Sequence, residues 1–168
     1  GGIRLLPSGN LVIASPNWGG GRGAVTCLFP SEYATGGIVV NETNSLVGST
    51  STDNVGQRVI LLRNGDYVVA SELWDNGSAV NAGAATWVDG DTCLPQNAST
   101  RAVEVSPANS LIGSTSNDSV GALVAPFGDD RYLVRAPNWD NAAISNAGAV
   151  QWCSAQAPCV GAISAATA

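Results

Sequence analysis

The sequence contains no histidine, lysine or methionine, and only 12% of its 168 residues are charged. Without histidine, the chain cannot form a Ser-His-Asp or Cys-His catalytic relay, and it has no imidazole ligand for a metal. Without lysine, it cannot form a Schiff base or a phosphate-binding P-loop. All seven basic residues are arginine and the formal net charge is −6, so we expect no binding to nucleic acid through its phosphates.

Long apolar runs are also absent from the sequence. No stretch approaches the roughly 18 consecutive apolar residues of a membrane-spanning helix, and no signal peptide is recognisable, so we expect no membrane span. The chain begins with Gly1 and Gly2, which we interpret as a processed chain or a segment of a longer one. At 168 residues it has the length of one domain, residues 1–168, and can bury a substantial core.

The four cysteines lack the Cys-x-x-Cys spacing of a zinc site. An even number in such a chain favours disulfides formed in an oxidising compartment. Cys153 and Cys159 lie close enough in sequence to bridge one loop, which would leave Cys27 to pair with Cys93. Four cysteines nevertheless allow three pairings. We therefore predict a secreted protein that is extracellular or on the cell surface, with its disulfide connectivity open.

An internal repeat is the strongest signal in the sequence. Residues 44–50, Asn-Ser-Leu-Val-Gly-Ser-Thr, return at 109–115 with one substitution, an offset of 65 residues. The same offset relates Trp87 to Trp152. A shorter copy opens the chain. We divide the chain into approximate units at residues 1–56, 57–121 and 122–168, of which the last lacks its final strand.

The sequence of each unit predicts a series of short strands. Asn64-Gly65 lies between two apolar segments and predicts a hairpin with a two-residue type I′ turn. A third strand is predicted at 83–88 and again at 148–152, and a fourth at 103–105 or 109–113. The predicted fold is all-β, with tandem four-stranded antiparallel repeats of about 65 residues that resemble propeller blades. A β-solenoid-like stack is the alternative.

The repeated motifs resemble those of a known group of proteins. Asn-Ser-Leu-Val-Gly-Ser-Thr, Trp-Asp-Asn-Gly and Gly-Ala-x-Thr-Trp are similar to a tandem repeat of large bacterial surface proteins, the filamentous-haemagglutinin and autotransporter-like adhesins. The resemblance covers nearly the whole chain and implies a secreted, adhesin-like protein without an established enzymatic role. The first copy departs from the pattern, because Gly19 to Gly21 replace Asp-Asn-Gly and Cys27 replaces the tryptophan.

Two sets of side chains are candidates for ligand binding. Trp18, Trp74 and Trp139 end equivalent strands and could stack on sugar rings, although repeated tryptophans also serve to pack neighbouring units together. Asp75 and Asp140 could supply oxygen ligands for Ca²⁺, although Asp-Asn-Gly also caps turns without metal. No other cofactor is expected.

The remaining acidic residues do not indicate catalysis. The pairs Asp89 with Asp91 and Asp129 with Asp130 lie in loops, whereas a glycosidase needs two carboxylates that face each other across a cleft. We therefore expect a non-catalytic extracellular structural or adhesion protein that assembles through its sheet edges into a fibre or a ring. Its partners would be copies of itself or flanking repeats of a longer chain. The alternative is a lectin-like, carbohydrate-binding surface module.

Overall fold

Within residues 2–168, which the computed structural model describes, the backbone forms thirteen strands and two four-residue helices. The strands are β1 (Gly2–Leu5), β2 (Leu11–Ser15), β3 (Ala24–Leu28), β4 (Ser45–Val47), β5 (Arg58–Leu61), β6 (Tyr67–Ser71), β7 (Ala84–Val88), β8 (Val103–Glu104), β9 (Leu111–Ile112), β10 (Leu123–Phe127), β11 (Arg131–Ala136), β12 (Ala149–Ser154) and β13 (Gly161–Ala162). The helices are α1 (Trp18–Gly21) and α2 (Pro30–Tyr33). Neither helix is long and apolar enough to cross a membrane.

The strands form three sheets, one centred on each unit. Their strand orders are β1-β2-β3-β4-β8, β5-β6-β7-β9-β13 and β10-β11-β12. The predicted all-β repeat architecture is therefore confirmed. Within residues 2–168 the sheets do not close into a barrel, so the likeness to propeller blades and the solenoid alternative both stay predictions.

The hairpin of each unit differs from the prediction in its turn. Leu61 pairs with Tyr67, and the amide of Leu62 donates to the carbonyl of Asp66, so the loop has three residues rather than two. Of these, Gly65 alone has a positive φ, +99°. The predicted type I′ turn, which needs two such residues, is therefore wrong. In the observed loop only the last residue must adopt the left-handed conformation, and Gly65 occupies that position.

The first two sheets each contain a fifth strand that the sequence analysis did not predict. β8 runs parallel to β4 of unit 1, and β13 runs parallel to β9 of unit 2. Both segments that were alternatives for the fourth strand are thus strands, but in different sheets. Units 2 and 3 each contribute a short strand to the sheet of the preceding unit, so neighbouring units are joined by backbone hydrogen bonds.

The middle sheet lies between the other two and is buried on both faces. Tyr67 and Val69 of β6 point into a core shared with unit 1, whereas Val68 and Ala70 point into a core shared with unit 3. This two-sided burial explains why the strands of unit 2 are apolar at successive positions rather than alternating. The repeat is therefore a stack of sheets with a core in each of the two gaps.

Two disulfides reinforce this arrangement. Cys27, on β3 of unit 1, is bonded to Cys93 in the loop after β7 of unit 2. Cys153 on β12 is bonded to Cys159 in the loop that follows it. The first bond ties two units together and the second closes a short loop within unit 3. This connectivity is one of the three pairings that the sequence left open, and it is compatible with an extracellular protein.

Candidate functional site

The structure does not bring the three tryptophans predicted to bind glycans into one site. The rings of Trp74 and Trp139 are buried in different cores, which leaves no face for a sugar ring and argues against glycan stacking at these positions. Trp18 is partly exposed. Its Nε1 donates to the carbonyl of Val40 at 2.9 Å, and the guanidinium of Arg22 lies 5.5 Å from its ring centroid. For Trp18 alone, glycan binding stays a prediction.

The Asn-Ser-Leu-Val-Gly-Ser-Thr motif of unit 1 is followed by Asp53, whose side chain is bonded to the end of the motif. Its carboxylate is fully buried and accepts hydrogen bonds from the amides of Ser49 and Thr50 at 2.6 and 2.8 Å and from the amide of Asp75 at 3.0 Å. The hydroxyl of Thr50 donates to it at 2.6 Å. These bonds satisfy the buried charge and fix the segment of unit 1 against unit 2. Asp118 has the same role 65 residues later.

The two calcium candidates take part in this network. The Oδ1 atom of Asp75 accepts from the amide of Asn81 at 2.8 Å, and its Oδ2 accepts from the hydroxyl of Thr50 at 3.1 Å. Asp140 accepts from the amide of Asn146 at 2.7 Å. Among residues 2–168, no three cysteine, aspartate or glutamate side chains are grouped so as to hold a metal ion. The bonds observed are those of turn-capping aspartates, and calcium binding stays a prediction.

Of the carboxylates considered for catalysis, that of Asp89 caps a loop. Asp89 accepts from the amides of Asp91 and Thr92 at 2.9 and 2.7 Å. Nearby, burial raises the pKa of Asp66, while the amide of Gly90, which donates to it at 2.9 Å, opposes that rise. These groups are held by the backbone of one loop rather than placed across a cleft.

Both ends of the stack present apolar side chains to solvent. At the first end, Ile3 and Leu5 on β1 are 64% and 65% exposed. At the last end, Val150 and Trp152 on β12 are 51% and 50% exposed. The side chain equivalent to Trp152 in unit 2 is Trp87, which is 9% exposed because unit 3 covers it. The last sheet therefore exposes positions that are buried where a neighbouring unit is present. At the first end the contrast is smaller, because Val59, the counterpart of Ile3, is only partly buried against unit 1.

An edge of unit 3 is the second unusual surface. Within residues 2–168, β12 is paired with β11 on one side only. Gln151 lies on this strand and is 8% exposed, and its Oε1 atom is buried without a hydrogen-bond partner among the described residues. In unit 2 the equivalent side chain is Thr86, whose hydroxyl lies 2.7 Å from that of Ser110. The edge of β12 therefore lacks the polar partner that β7 has.

Unit 1 contains a segment that corresponds to the parallel fifth strands of the other two units. The turn formed by Asn41 to Asn44 has the same hydrogen bonds as the turn after β8, from Ser106 to Asn109. The residues before it, Ile38 to Val40, therefore correspond to β8. Val39 is 77% exposed, so this segment is accessible to another sheet.

Sequence reasoning missed the exposed apolar faces at the two ends and the segment from Ile38 to Val40, because it assigned each strand to the sheet of its own unit. The available signal was the short apolar segment before each turn, Val103 to Val105 in unit 2 and Gly161 to Ile163 in unit 3. Such a segment is too short to build a sheet by itself. The alternation of buried and exposed residues in such a segment indicates a strand only when the preceding unit is known to supply a partner strand.

The fold defines an all-β protein built from tandem repeats that share strands. The chain belongs to a family described as a repeat of unknown function, DUF5650, whose model matches residues 5–57, 61–122 and 126–167. These three matches correspond to the three units of the stack. Among curated proteins, none matches the chain at a significant level.

Proposed function

We propose that this chain is a non-catalytic structural or adhesion protein of the cell surface or extracellular space, and that it assembles into a fibre or ring through its outer sheets. The observation that carries the proposal is the exposure of apolar positions at both ends of the stack. Ile3 and Val150, for example, are more than half exposed. Exposed apolar patches of this kind are typical of interaction surfaces.

The two end surfaces differ and are suited to each other. The face of unit 1 that carries Ile3 corresponds to the face of unit 2 that carries Val59 and packs against unit 1. The face of unit 3 that carries Trp152 corresponds to the face of unit 2 that carries Trp87 and packs against unit 3. One copy could therefore place its first face on the last face of another. Such a head-to-tail contact gives a ring if the rotation closes and a filament if it does not.

Two further features support an external location and a structural role. The two disulfides persist in oxidising compartments and are rare in reducing ones. The repeated motifs resemble those of filamentous-haemagglutinin and autotransporter-like adhesins, in which tandem units build long surface structures. A structural role needs no catalytic group, in keeping with the absence of histidine and lysine from the sequence.

The test is the native mass of the oxidised protein, measured by light scattering over a range of concentrations, with electron microscopy of the same samples. We expect a closed oligomer or a polymer. Ile3→Glu should shift the population towards the 17.0 kDa monomer, because it places a charge in the contact. Val80→Glu, at an exposed position in a loop of unit 2, is the matched control and should leave assembly unchanged. A monomer at every concentration would reject the proposal.

A further inference from the structure

A cavity lies between the sheets of units 1 and 2, and its volume is about 290 Å³. Unit 1 lines it with Gly2, Arg4, Val12 and Ala14, and unit 2 lines it with residues 56–60. We infer that this cavity binds a hydroxylated carboxylate about the size of one sugar acid. The site lies between two units of one chain, so the inference goes beyond the proposed assembly and does not depend on it.

The cavity belongs to the gap between the two units and not to an end of the stack. In the hairpin of unit 1, Gly2 lies opposite Ala14 and Arg4 lies opposite Val12. Residues two apart on a strand point to the same face of a sheet, so these four residues share one face. Val12 is 1% exposed and belongs to the core shared by units 1 and 2. The face that carries Gly2 and Arg4 is therefore the one that faces unit 2.

The gap between units 2 and 3 shows which side chain fills the equivalent space there. The hairpins of units 1 and 2 are related by an offset of 56 residues, so Gly2 corresponds to Arg58. The guanidinium of Arg58 donates to the carbonyls of Ala122 and Gly121 at 2.8 and 3.0 Å. An arginine side chain thus occupies, between units 2 and 3, the place that a glycine leaves open between units 1 and 2.

The two carbonyls that bind Arg58 have counterparts in the cavity. The residues 65 positions before Gly121 and Ala122 are Gly56 and Gln57, and both line the cavity. Among residues 2–168, neither of their carbonyls accepts a backbone hydrogen bond. Each oxygen is an acceptor only, so it requires a donor from its surroundings. The hydroxyl groups of a ligand would supply such donors.

Arg4 makes this cavity electrostatically positive. Its Nη1 atom lies 3.1 Å from where a Cβ on Gly2 would be, and it donates to the carbonyl of Ile3 at 3.1 Å. Within the described chain, Arg4 forms no ion pair and no acidic residue lines the cavity. Arg58, by contrast, is paired with Glu72 at 2.8 Å. A guanidinium without a carboxylate partner favours an anionic ligand and disfavours a second cation beside it.

The rest of the lining is mainly apolar and suits the carbon skeleton of such a ligand. Val12 and Val59 contribute to it from the two facing sheets. The volume of about 290 Å³ is close to the lower end of ligand pockets, roughly 300 Å³, and so suits a single small molecule. A sugar acid has the required groups, because its carboxylate would meet Arg4, its hydroxyls the two carbonyls, and its ring carbons the valines.

Titration of the full, oxidised chain with D-glucuronate, followed by NMR, tests the inference. We expect shifts of the amide resonances of residues 56–60 and of the Nε resonance of Arg4, while residues 121–125, the counterparts in unit 3, stay unchanged. D-Glucose has no carboxylate and should bind at least tenfold more weakly. Absence of shifts at millimolar glucuronate would overturn the inference, and so would equal binding of glucose.

Gly2→Arg should fill the cavity in the way that Arg58 fills the equivalent space. The only atoms within 4 Å of an added Cβ belong to the flexible side chain of Arg4, so the new side chain can be accommodated. We expect glucuronate to bind at least tenfold more weakly, and the temperature of thermal unfolding to rise through the new hydrogen bonds. Gly37→Arg, at an exposed glycine with no atom within 4 Å of an added Cβ, is the matched control and should change neither. Unchanged binding by Gly2→Arg would contradict the location of the site.

Arg4→Ile tests whether the guanidinium recognises the carboxylate. Ile60 is the counterpart of Arg4 in unit 2, where it packs against the core shared with unit 3, so isoleucine suits this strand position. The variant should lose the preference for glucuronate over glucose. Arg63→Ile removes the same charge from an exposed arginine of the hairpin loop and should keep that preference. A preference that survives Arg4→Ile would overturn the inference, whether the chain is monomeric or assembled in the same samples.

Discussion

Units 2 and 3 have the same order of hairpin and third strand, yet the surroundings of their sheets differ. The sheet of unit 2 has a neighbour on each face and contains five strands, whereas the sheet of unit 3 has a neighbour on one face and contains three among the described residues. Equivalent side chains therefore pass from buried to exposed, as Trp87 and Trp152 do. The comparison teaches that a neighbouring repeat buries one face of a sheet, and that the following repeat adds a parallel strand to it.

The largest difference in the free energy of unfolding is expected between variants of the equivalent residues Trp87 and Trp152. Trp87→Ala should lower the free energy of unfolding by about 4 kcal/mol, because it removes a large ring from the core between units 2 and 3. Trp152→Ala should cost under about 1 kcal/mol, because half of that ring is already in solvent. Urea denaturation of the two variants measures both values. Equal losses would mean that the face of unit 3 is covered in the isolated protein.

The two disulfides should contribute different amounts to the free energy of unfolding, because the loops that they close differ in length. Cys27 and Cys93 are 66 residues apart, and replacing both by alanine should cost about 4 kcal/mol. Cys153 and Cys159 are 6 residues apart, and their replacement should cost about 2 kcal/mol. Thermal unfolding of the two double variants and the native chain tests the order. A larger loss for the short loop would contradict it.

Two glycines at equivalent positions, Gly83 of unit 2 and Gly148 of unit 3, test how closely the backbone is packed in each unit. Gly83 and Gly148 both have a positive φ, +78° and +73°, so alanine is strained at either position by about 1 kcal/mol. At Gly83 a Cβ would also lie 2.4 Å from the amide nitrogen of Val120, whereas at Gly148 its nearest contact is 3.2 Å away. We expect losses of about 3 and about 1 kcal/mol, read from denaturant midpoints. Similar losses would show that Gly148 is packed as tightly as Gly83.

Replacing the equivalent polar side chains of β7 and β12 by apolar ones should change the free energy of unfolding in opposite directions. Thr86→Val removes the bond to Ser110 and should lower the free energy of unfolding by about 1 kcal/mol. Gln151→Leu removes a buried oxygen that has no partner among the described residues and should leave stability unchanged or raise it by about 1 kcal/mol. A loss of stability in Gln151→Leu would mean that this oxygen is bonded in solution.

The smallest effect concerns pH at the junction of units 1 and 2. Arg101 lowers the pKa of Glu32 through a hydrogen bond between their side chains, with burial opposing it. Because the folded pKa lies below the ordinary value of about 4.5, this contribution to stability is present above that pH and is lost as pH falls through the folded pKa. Glu32→Gln should flatten the acid limb of the stability curve slightly. An unchanged acid limb would contradict this assignment.

Much of this architecture could be predicted from the sequence, since the 65-residue offset and the glycine-containing turns indicate hairpins, third strands and unit boundaries. The short spacing of Cys153 and Cys159 indicated one of the three possible disulfide pairings, the one observed, but could not exclude the other two. The parallel fifth strands could not be predicted, because Val103 and Glu104 gain their partner only when two units meet in space. Burial of Trp74 and Trp139 agrees with the other interpretation of repeated tryptophans, that they pack neighbouring units together, since each ring lies in a core shared by two sheets.

Amide hydrogen exchange along β8 and β13 tests the central claim most directly, that a repeat adds a strand to the sheet of the preceding repeat. Under conditions in which the chain is monomeric, the amides of Val105 and Ile163, which donate to the carbonyls of Val47 and Ile112, should exchange at least a hundredfold more slowly than the amide of Val40, which lies in none of the three sheets. Exchange of Val105 and Ile163 at the rate of Val40 would contradict the account, because it would mean that the added strands are open in solution.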